Sequence, residues 1–157
     1  DYVREQERRG TAGALSLLPD VPREPVLVMN GDVLTKLDFR EVLRFHRDMG
    51  LRATMAVREY DVQVPFGVVD LEGHVVRKLV EKPVHRFFVN AGIYVLDPLC
   101  LDYVPANEYV DMTTVLDRML ADGHAIGSFP IHEYWLDVGR VDDFHEANRA
   151  FATLFAG

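Results

Sequence analysis

Two carboxylates stand where a sheet would present them to a ligand. Asp32 ends the stretch Pro25-Val26-Leu27-Val28-Met29-Asn30-Gly31-Asp32, and Asp137 lies in Trp135-Leu136-Asp137-Val138-Gly139. Each sits between an apolar run of strand type and a turn or glycine, and in open α/β sheets ligands bind at the carboxyl ends of strands. An Asp beside a Gly is also an ordinary turn cap. As a pair the two acids match the sparse donor set of Mg²⁺, which takes one or two protein carboxylates and completes its octahedron with water and phosphate oxygens. The expectation is that they converge on one divalent metal beside a phosphorylated ligand.

Three further stretches could carry chemistry. In Val80-Glu81-Lys82-Pro83 the proline biases Lys82 towards an extended backbone, which sends Glu81 and Lys82 to opposite sides of a strand end. An acid there can accept from sugar hydroxyls and a lysine is a compact charge for phosphate, although a solvated strand end has the same composition. Gly10-Thr11-Ala12-Gly13 opens a helical run and could bring backbone N–H groups to a ligand, yet it matches neither Gly-rich phosphate-loop pattern, and Thr11 suits an N-cap equally well. Tyr134 and Trp135 could stack on a sugar or base, or fill the core. No two of the six histidines share metal-ligand spacing on one element, and no serine–histidine or cysteine–histidine pattern is visible.

The elements that must position these residues follow from periodicity. Val26 to Met29 reads as a strand buried on both faces. Asp38 and Glu41 form a capping signature ahead of Phe39, Val42, Leu43 and Met49, with Gly50 as the stop, so a helix follows. Arg52 to Arg58 is the next strand, closing a strand-helix-strand unit. From Val64 to Leu96 the period is that of sheet. Glu72-Gly73 turns a hairpin, and Asn90-Ala91-Gly92 interrupts the last strand with residues small enough for a ligand to approach. Met112, Val115, Leu116, Met119 and Leu120 fall on one helical face between Asp111 as cap and Gly123 as stop. Ala125 to Ile131 and the Trp135 segment read as strands. A last helix from about Val141 is expected to bury Phe144, Ala147, Phe151 and Leu154. Alternating strands and helices with an inserted hairpin give an α/β fold, a three-layer Rossmann-like mixed sheet.

Bulk properties narrow the classes. At 157 residues the chain is one domain's worth, 1–157, and its 48% hydrophobic and 27% charged residues are those of an ordinary globular protein. A net charge of −8 with no basic stripe argues against nucleic acid as a partner. No run is long and apolar enough for a bilayer, and the first residues lack a signal-peptide pattern, so a cytoplasmic protein without a membrane partner is expected. The single Cys100 fits a reducing compartment. Nothing in the composition argues against a homo-oligomer.

Taken in order, six stretches resemble the sugar-phosphate nucleotidylyltransferases, also called nucleoside-diphosphate-sugar pyrophosphorylases. They are Gly10-Thr11-Ala12-Gly13-Ala14-Leu15, Asn30-Gly31-Asp32, Pro65-Phe66-Gly67-Val68-Val69, Glu81-Lys82-Pro83, Asn90-Ala91-Gly92-Ile93-Tyr94-Val95 and Trp135-Leu136-Asp137-Val138-Gly139-Arg140. The resemblance implies the nucleotide-diphospho-sugar transferase fold and a reaction of a sugar 1-phosphate with a nucleoside triphosphate. It also implies roles: Gly10, Thr11, Ala12 and Gly13 facing the nucleobase and ribose; Asp32 and Asp137 holding Mg²⁺; Gly67, Glu81 and Asn90 on the sugar; Lys82 on its phosphate; Trp135 bordering the sugar pocket. Members open with a strand and a G-x-G-T-R loop that this sequence does not contain, so it corresponds to the carboxyl-terminal part of the catalytic domain. Within the family the Asn90 and Trp135 stretches look most like guanylyltransferases acting on mannose- or heptose-type 1-phosphates. The alternative, which the missing loop favours for this chain, is a non-catalytic sugar-nucleotide binding or regulatory module. A metal-dependent glycosyltransferase fits less well, because Asp32 is followed by Val33, Leu34 and Thr35 rather than a D-x-D.

Overall fold

The longest strand organises the molecule. In the computed structural model, which describes residues 2–155, strand β6 (Val84–Leu96) lies second in a four-stranded sheet of order β1-β6-β3-β7. Its neighbours β1 (Val26–Met29) and β3 (Ala53–Gln63) are both antiparallel to it, and β7 (Ile126–Pro130) runs parallel to β3. Strands β1 and β3 therefore point the same way with β6 between them, and α2 (Phe39–Met49) connects them across it.

The alternation of side chains along β6 splits the core into two. Tyr94 and Leu96 face α1 (Gly10–Gly13) and α3 (Met112–Ala121), joining Ala12, Met112, Val115 and Met119. Ile93 and Val95 face α2, joining Leu37, Val42, Ala56 and Ile131. Two apolar faces at period two require two covering layers, which is the three-layer arrangement expected. Full burial of a Val, Leu or Ile contributes roughly 1.5–3 kcal/mol each, so the inner half of β6, buried from Ala91 to Leu96, anchors the sheet.

Helix ends obey their local chemistry. Asp38 caps α2 by accepting from the Arg40 N–H at 3.0 Å, and Gly50 closes the helix at φ 60°. At α3 the capping differs from expectation. Asp111 occupies the N-cap, but its side chain caps nothing there; it accepts from the Thr11 N–H at 3.1 Å, while Thr11 Oγ1 accepts from the Met112 N–H at 2.8 Å. Thr11 thus caps a helix a hundred residues away instead of its own.

Three other expectations are corrected. Strand β1 is partly buried rather than buried on both faces, because it is the sheet's edge strand, and Met29 is 42% exposed. Lys82 is left-handed at φ 44° instead of extended. Strand β5 (Val75–Val80) pairs only with β4 (Val68–Glu72), and the Val64 N–H donates to the Pro83 carbonyl at 3.0 Å, so the chain must swing into β6 within a few residues and Lys82 makes that turn. The final helix, α4 (Val141–Leu154), buries none of its residues, and Phe144 and Phe151 are each 57% exposed. It lies over a two-stranded sheet, β2 (Val33–Thr35) with β8 (Trp135–Asp137), which is too narrow to cover it.

Candidate active site

The Asn-Gly-Asp turn after β1 is fixed from both sides. The Asn30 N–H donates to the Gly92 carbonyl at 2.8 Å, and the Asp32 carbonyl accepts from the Val138 N–H at 2.8 Å. Beyond the turn, β2 pairs antiparallel with β8 in a register that sets Val33 opposite Asp137. Asp32 and Asp137, more than a hundred residues apart in sequence, are thereby brought to one rim of the fold.

The Asp137 carboxyl feels the charge of Asp32. Burial first, then the Asp32 charge, then the Asp143 charge, holds the Asp137 carboxyl above its ordinary range. Among the described residues neither Asp32 nor Asp137 takes part in a salt bridge. Two uncompensated carboxylates on a ligand-facing rim fit a small oxygen-seeking dication that uses few protein ligands. Among the described residues no group of three or more His, Cys, Asp or Glu is placed to hold a metal.

Two clefts meet at this rim. One, of about 370 Å³, is lined by Thr11, Met29, Asn30, Gly31 and Asp32. The other, of about 60 Å³, is lined by Asn30, Val33, Asn90, Ala91, Gly92, Trp135 and Asp137. Its floor is built around a bulge in β6. The β3–β6 register shifts between Met55 and Val57, and Gly92 takes φ 69°. Asn90 Oδ1 accepts from the Gly92 N–H at 3.0 Å and its Nδ2 donates to Tyr94 Oη at 2.7 Å. The Trp135 indole N–H donates to the Ala91 carbonyl at 2.9 Å, and the Arg58 guanidinium lies 5.9 Å from the Trp135 ring centroid. Trp135 therefore positions the bulge as well as bordering the small cleft.

The expected site residues fall into two groups. Asp32, Asp137, Asn90, Trp135 and Thr11 line the two clefts. Of the other expected residues in the first turn, Ala12 and Gly13 are buried against the Val110 segment, the Ala12 N–H donating to the Val110 carbonyl at 3.1 Å. Gly67, Glu81 and Lys82 sit on the β4–β5–β6 arm and line neither cleft. A Cβ built on Gly67 would stand 3.0 Å from Glu81 Oε2, so that pair is in close register. Sequence reasoning missed Asn30, which reads as a turn residue yet lines both clefts; its signal is the Asn-Gly pair directly ahead of the acid.

The whole arrangement lies within a match to known proteins. Residues 1–153 match the model of the nucleotidyl transferase family. The chain belongs to that family. It is 36% identical over 151 residues to a probable mannose-1-phosphate guanylyltransferase 3 of Oryza sativa subsp. japonica, covering 90% of this chain and 41% of that protein. It is 31% identical over 160 residues to a mannose-1-phosphate guanyltransferase of Debaryomyces hansenii, covering 97% of this chain and 44% of that one. The chain thus spans about two-fifths of the length of the curated relatives it matches. Two solved structures share the fold. A putative glucose-1-phosphate thymidylyltransferase from Bacillus anthracis superposes with TM-score 0.71 at 22% identity, covering 98% of this chain and 65% of that one. HddC from Yersinia pseudotuberculosis complexed with GMP-PN gives TM-score 0.66 at 23% identity, covering 96% and 66%. Among the described residues no helix is long and apolar enough to cross a membrane.

The dual use of Thr11 gives a first expected result. Thr11→Val removes the hydroxyl that caps α3 and should lower stability by about 1 kcal/mol, a fall of roughly 2–4 °C in Tm for a chain of this size. Thermal melts followed by circular dichroism check it, and an unchanged Tm would mean that the hydroxyl contributes nothing to the cap.

Proposed function

We propose that the protein transfers a nucleotidyl group: a sugar 1-phosphate and a nucleoside triphosphate give a nucleotide sugar and pyrophosphate, in a cell interior rich in Mg²⁺. The observation that carries this reading is the apposition of Asp32 and Asp137 across the β2–β8 pair, without a salt bridge, at the edge of two clefts. The names of the rice and yeast relatives favour GTP and a mannose-type 1-phosphate, with a heptose-type sugar as the next choice.

The residues suit such a reaction. An oxygen of the sugar phosphate forms a bond to the α-phosphorus, the bond from that phosphorus to the bridging oxygen breaks, and pyrophosphate leaves with the electron pair. The nucleophile is an anion at neutral pH, so no general base is needed and the lack of a catalytic His or Ser is consistent with the chemistry. The obstacle is charge. Two like unit charges about 4 Å apart at an effective dielectric of about 20 repel by roughly 4 kcal/mol, enough to slow the reaction by about three orders of magnitude. Asp32 and Asp137 would hold a Mg²⁺ ion, which would supply positive charge to offset that of the phosphate oxygens. Outside the two clefts, on the β4–β5–β6 arm, Lys82 would add a cation on the sugar-phosphate side, and Gly67 and Glu81 would join Asn90 of the small cleft on the sugar. Thr11 is the member of the Gly10 to Gly13 turn that lines the larger cleft, on the base side of this reading. Catalysis is then positioning and charge compensation, as in phosphoryl transfer generally.

Pyrophosphate release is the direct test. The protein is incubated with Mg²⁺, each of the common nucleoside triphosphates in turn and a panel of hexose and heptose 1-phosphates. Release with GTP and mannose 1-phosphate, abolished by chelation, is the expected result; no release with any pair, at concentrations where nucleotide binding is saturated, would remove the reading.

A further inference from the structure

Among the described residues Asn30 is the one side chain that lines both clefts at the candidate site. Its backbone is held by the Gly92 carbonyl at 2.8 Å, and its carboxamide lies directly over Gly92, where a Cβ would come within 2.8 Å of Asn30 Nδ2 and 3.1 Å of its Cγ. Gly92 holds φ 69° beneath it, so the bulge in β6 leaves the space that the carboxamide occupies. Apart from the two acids, the other polar side chains that line the clefts are committed. Asn90 bonds Gly92 and Tyr94, Trp135 bonds Ala91, and Thr11 bonds Met112. The Asn30 carboxamide, half-buried, makes no hydrogen bond to any described residue. A half-buried polar side chain that the fold positions but does not satisfy is available to a ligand.

We propose that Asn30 is a substrate-binding residue that donates its amide N–H to the phosphate oxygens lying between the two clefts, holding the two substrates end to end. This rests on the nucleotidyl-transfer reading and assigns to it a residue that neither the acid pair nor the sugar contacts include. A carboxamide suits the place. It supplies donors to an anion without adding a charge, so it neither competes with phosphate for the cation nor repels the phosphate as a third carboxylate would. It also stands two residues from Asp32, on the wall shared with the cleft that contains Asp137.

Calorimetry and Mn²⁺ titration separate the alternatives. The wild-type protein, Asn30→Ala and Asn30→Asp are titrated with GDP-mannose and other nucleoside-diphosphate sugars, and Mn²⁺ affinity is read by electron paramagnetic resonance without nucleotide. A lost hydrogen bond to a charged group weakens binding by about tenfold to a hundredfold, so Asn30→Ala should bind GDP-mannose that much more weakly with an unchanged Tm. Asn30→Asp should bind it more weakly still while binding Mn²⁺ more tightly, a reversal that a purely structural role would not produce. Equal affinity of Asn30→Ala and wild type, or Asn30→Asp binding the nucleotide sugar as tightly as wild type, would overturn the donor role and leave the nucleotidyl-transfer reading standing. Failure of the wild type to bind any nucleoside-diphosphate sugar would overturn both.

Discussion

Asp137→Asn should lower turnover by a hundred- to thousandfold or more while leaving the protein folded. The substitution is isosteric and removes one of two charges on which the site's charge compensation depends, and loss of a single preorganised electrostatic contact at a reacting phosphate is worth roughly that factor. The fold loses nothing, because Asp137 makes no salt bridge among the described residues and its side chain sits at an exposed rim. Stability should even move the other way. Burial and the Asp32 charge hold the Asp137 carboxyl above 3.8, its ordinary value, so the folded state binds that proton more tightly than the unfolded chain does. The wild type therefore loses stability as pH rises from 3.8 through the raised value. Asp137→Asn escapes that loss, and its Tm at neutral pH should equal or slightly exceed that of the wild type, with the advantage gone below the ordinary carboxylate range. Steady-state kinetics and melts across pH check both halves; near-normal turnover would remove the acid from the mechanism.

The second large effect is expected at Gly92. Its φ of 69° costs an L residue roughly 1–2 kcal/mol, and a Cβ there would collide with the Asn30 side chain at 2.8 Å. Gly73 provides the control. It turns the β4–β5 hairpin at φ 59°, yet a Cβ built on it meets nothing within 4 Å. Gly73→Ala should therefore show the backbone cost alone, about 1 kcal/mol, with ligand affinity intact. Gly92→Ala should cost about 2–3 kcal/mol, since overpacking adds to backbone strain, and should also lose nucleotide-sugar binding as Asn30 is driven from the wall between the clefts. Denaturant melts and calorimetry on the two variants read these effects side by side. Equal losses at the two positions would mean that the close approach of Gly92 to Asn30 has no energetic weight.

What could be read from the chain and what could not divides along contact range. Helices α2 and α3 announce themselves because their apolar positions, caps and stops are local, and the β4–β5 hairpin is legible from Gly73. That Asp32 and Asp137 converge could be expected only from the strand-like run before each, because the β2–β8 pairing that brings them together is not written in either run. Strand β2 itself was not legible. Val33–Thr35 is three residues long, and its existence depends on pairing with β8 a hundred residues later, which no periodicity reports. Separations of 101 and 44 residues likewise put the capping of α3 by Thr11 and the donation from the Trp135 indole to Ala91 beyond any local pattern. At Lys82 a sound local rule, the extended preference before proline, lost to a tertiary demand for a turn between two sheets. The amphipathic pattern of α4 was real, but pattern says only which side is apolar. Here that side borders an open groove of about 350 Å³ with Leu34, Val138 and Asp32.

Diffraction from crystals soaked with Mn²⁺ and a nucleotide sugar, recorded at the manganese absorption edge, puts the central idea to the most direct test. An anomalous peak within coordination distance of both the Asp32 and the Asp137 carboxylates, with phosphate oxygens completing its shell, is the predicted result. A peak held by only one of these acids, or lying elsewhere on the protein, would contradict it.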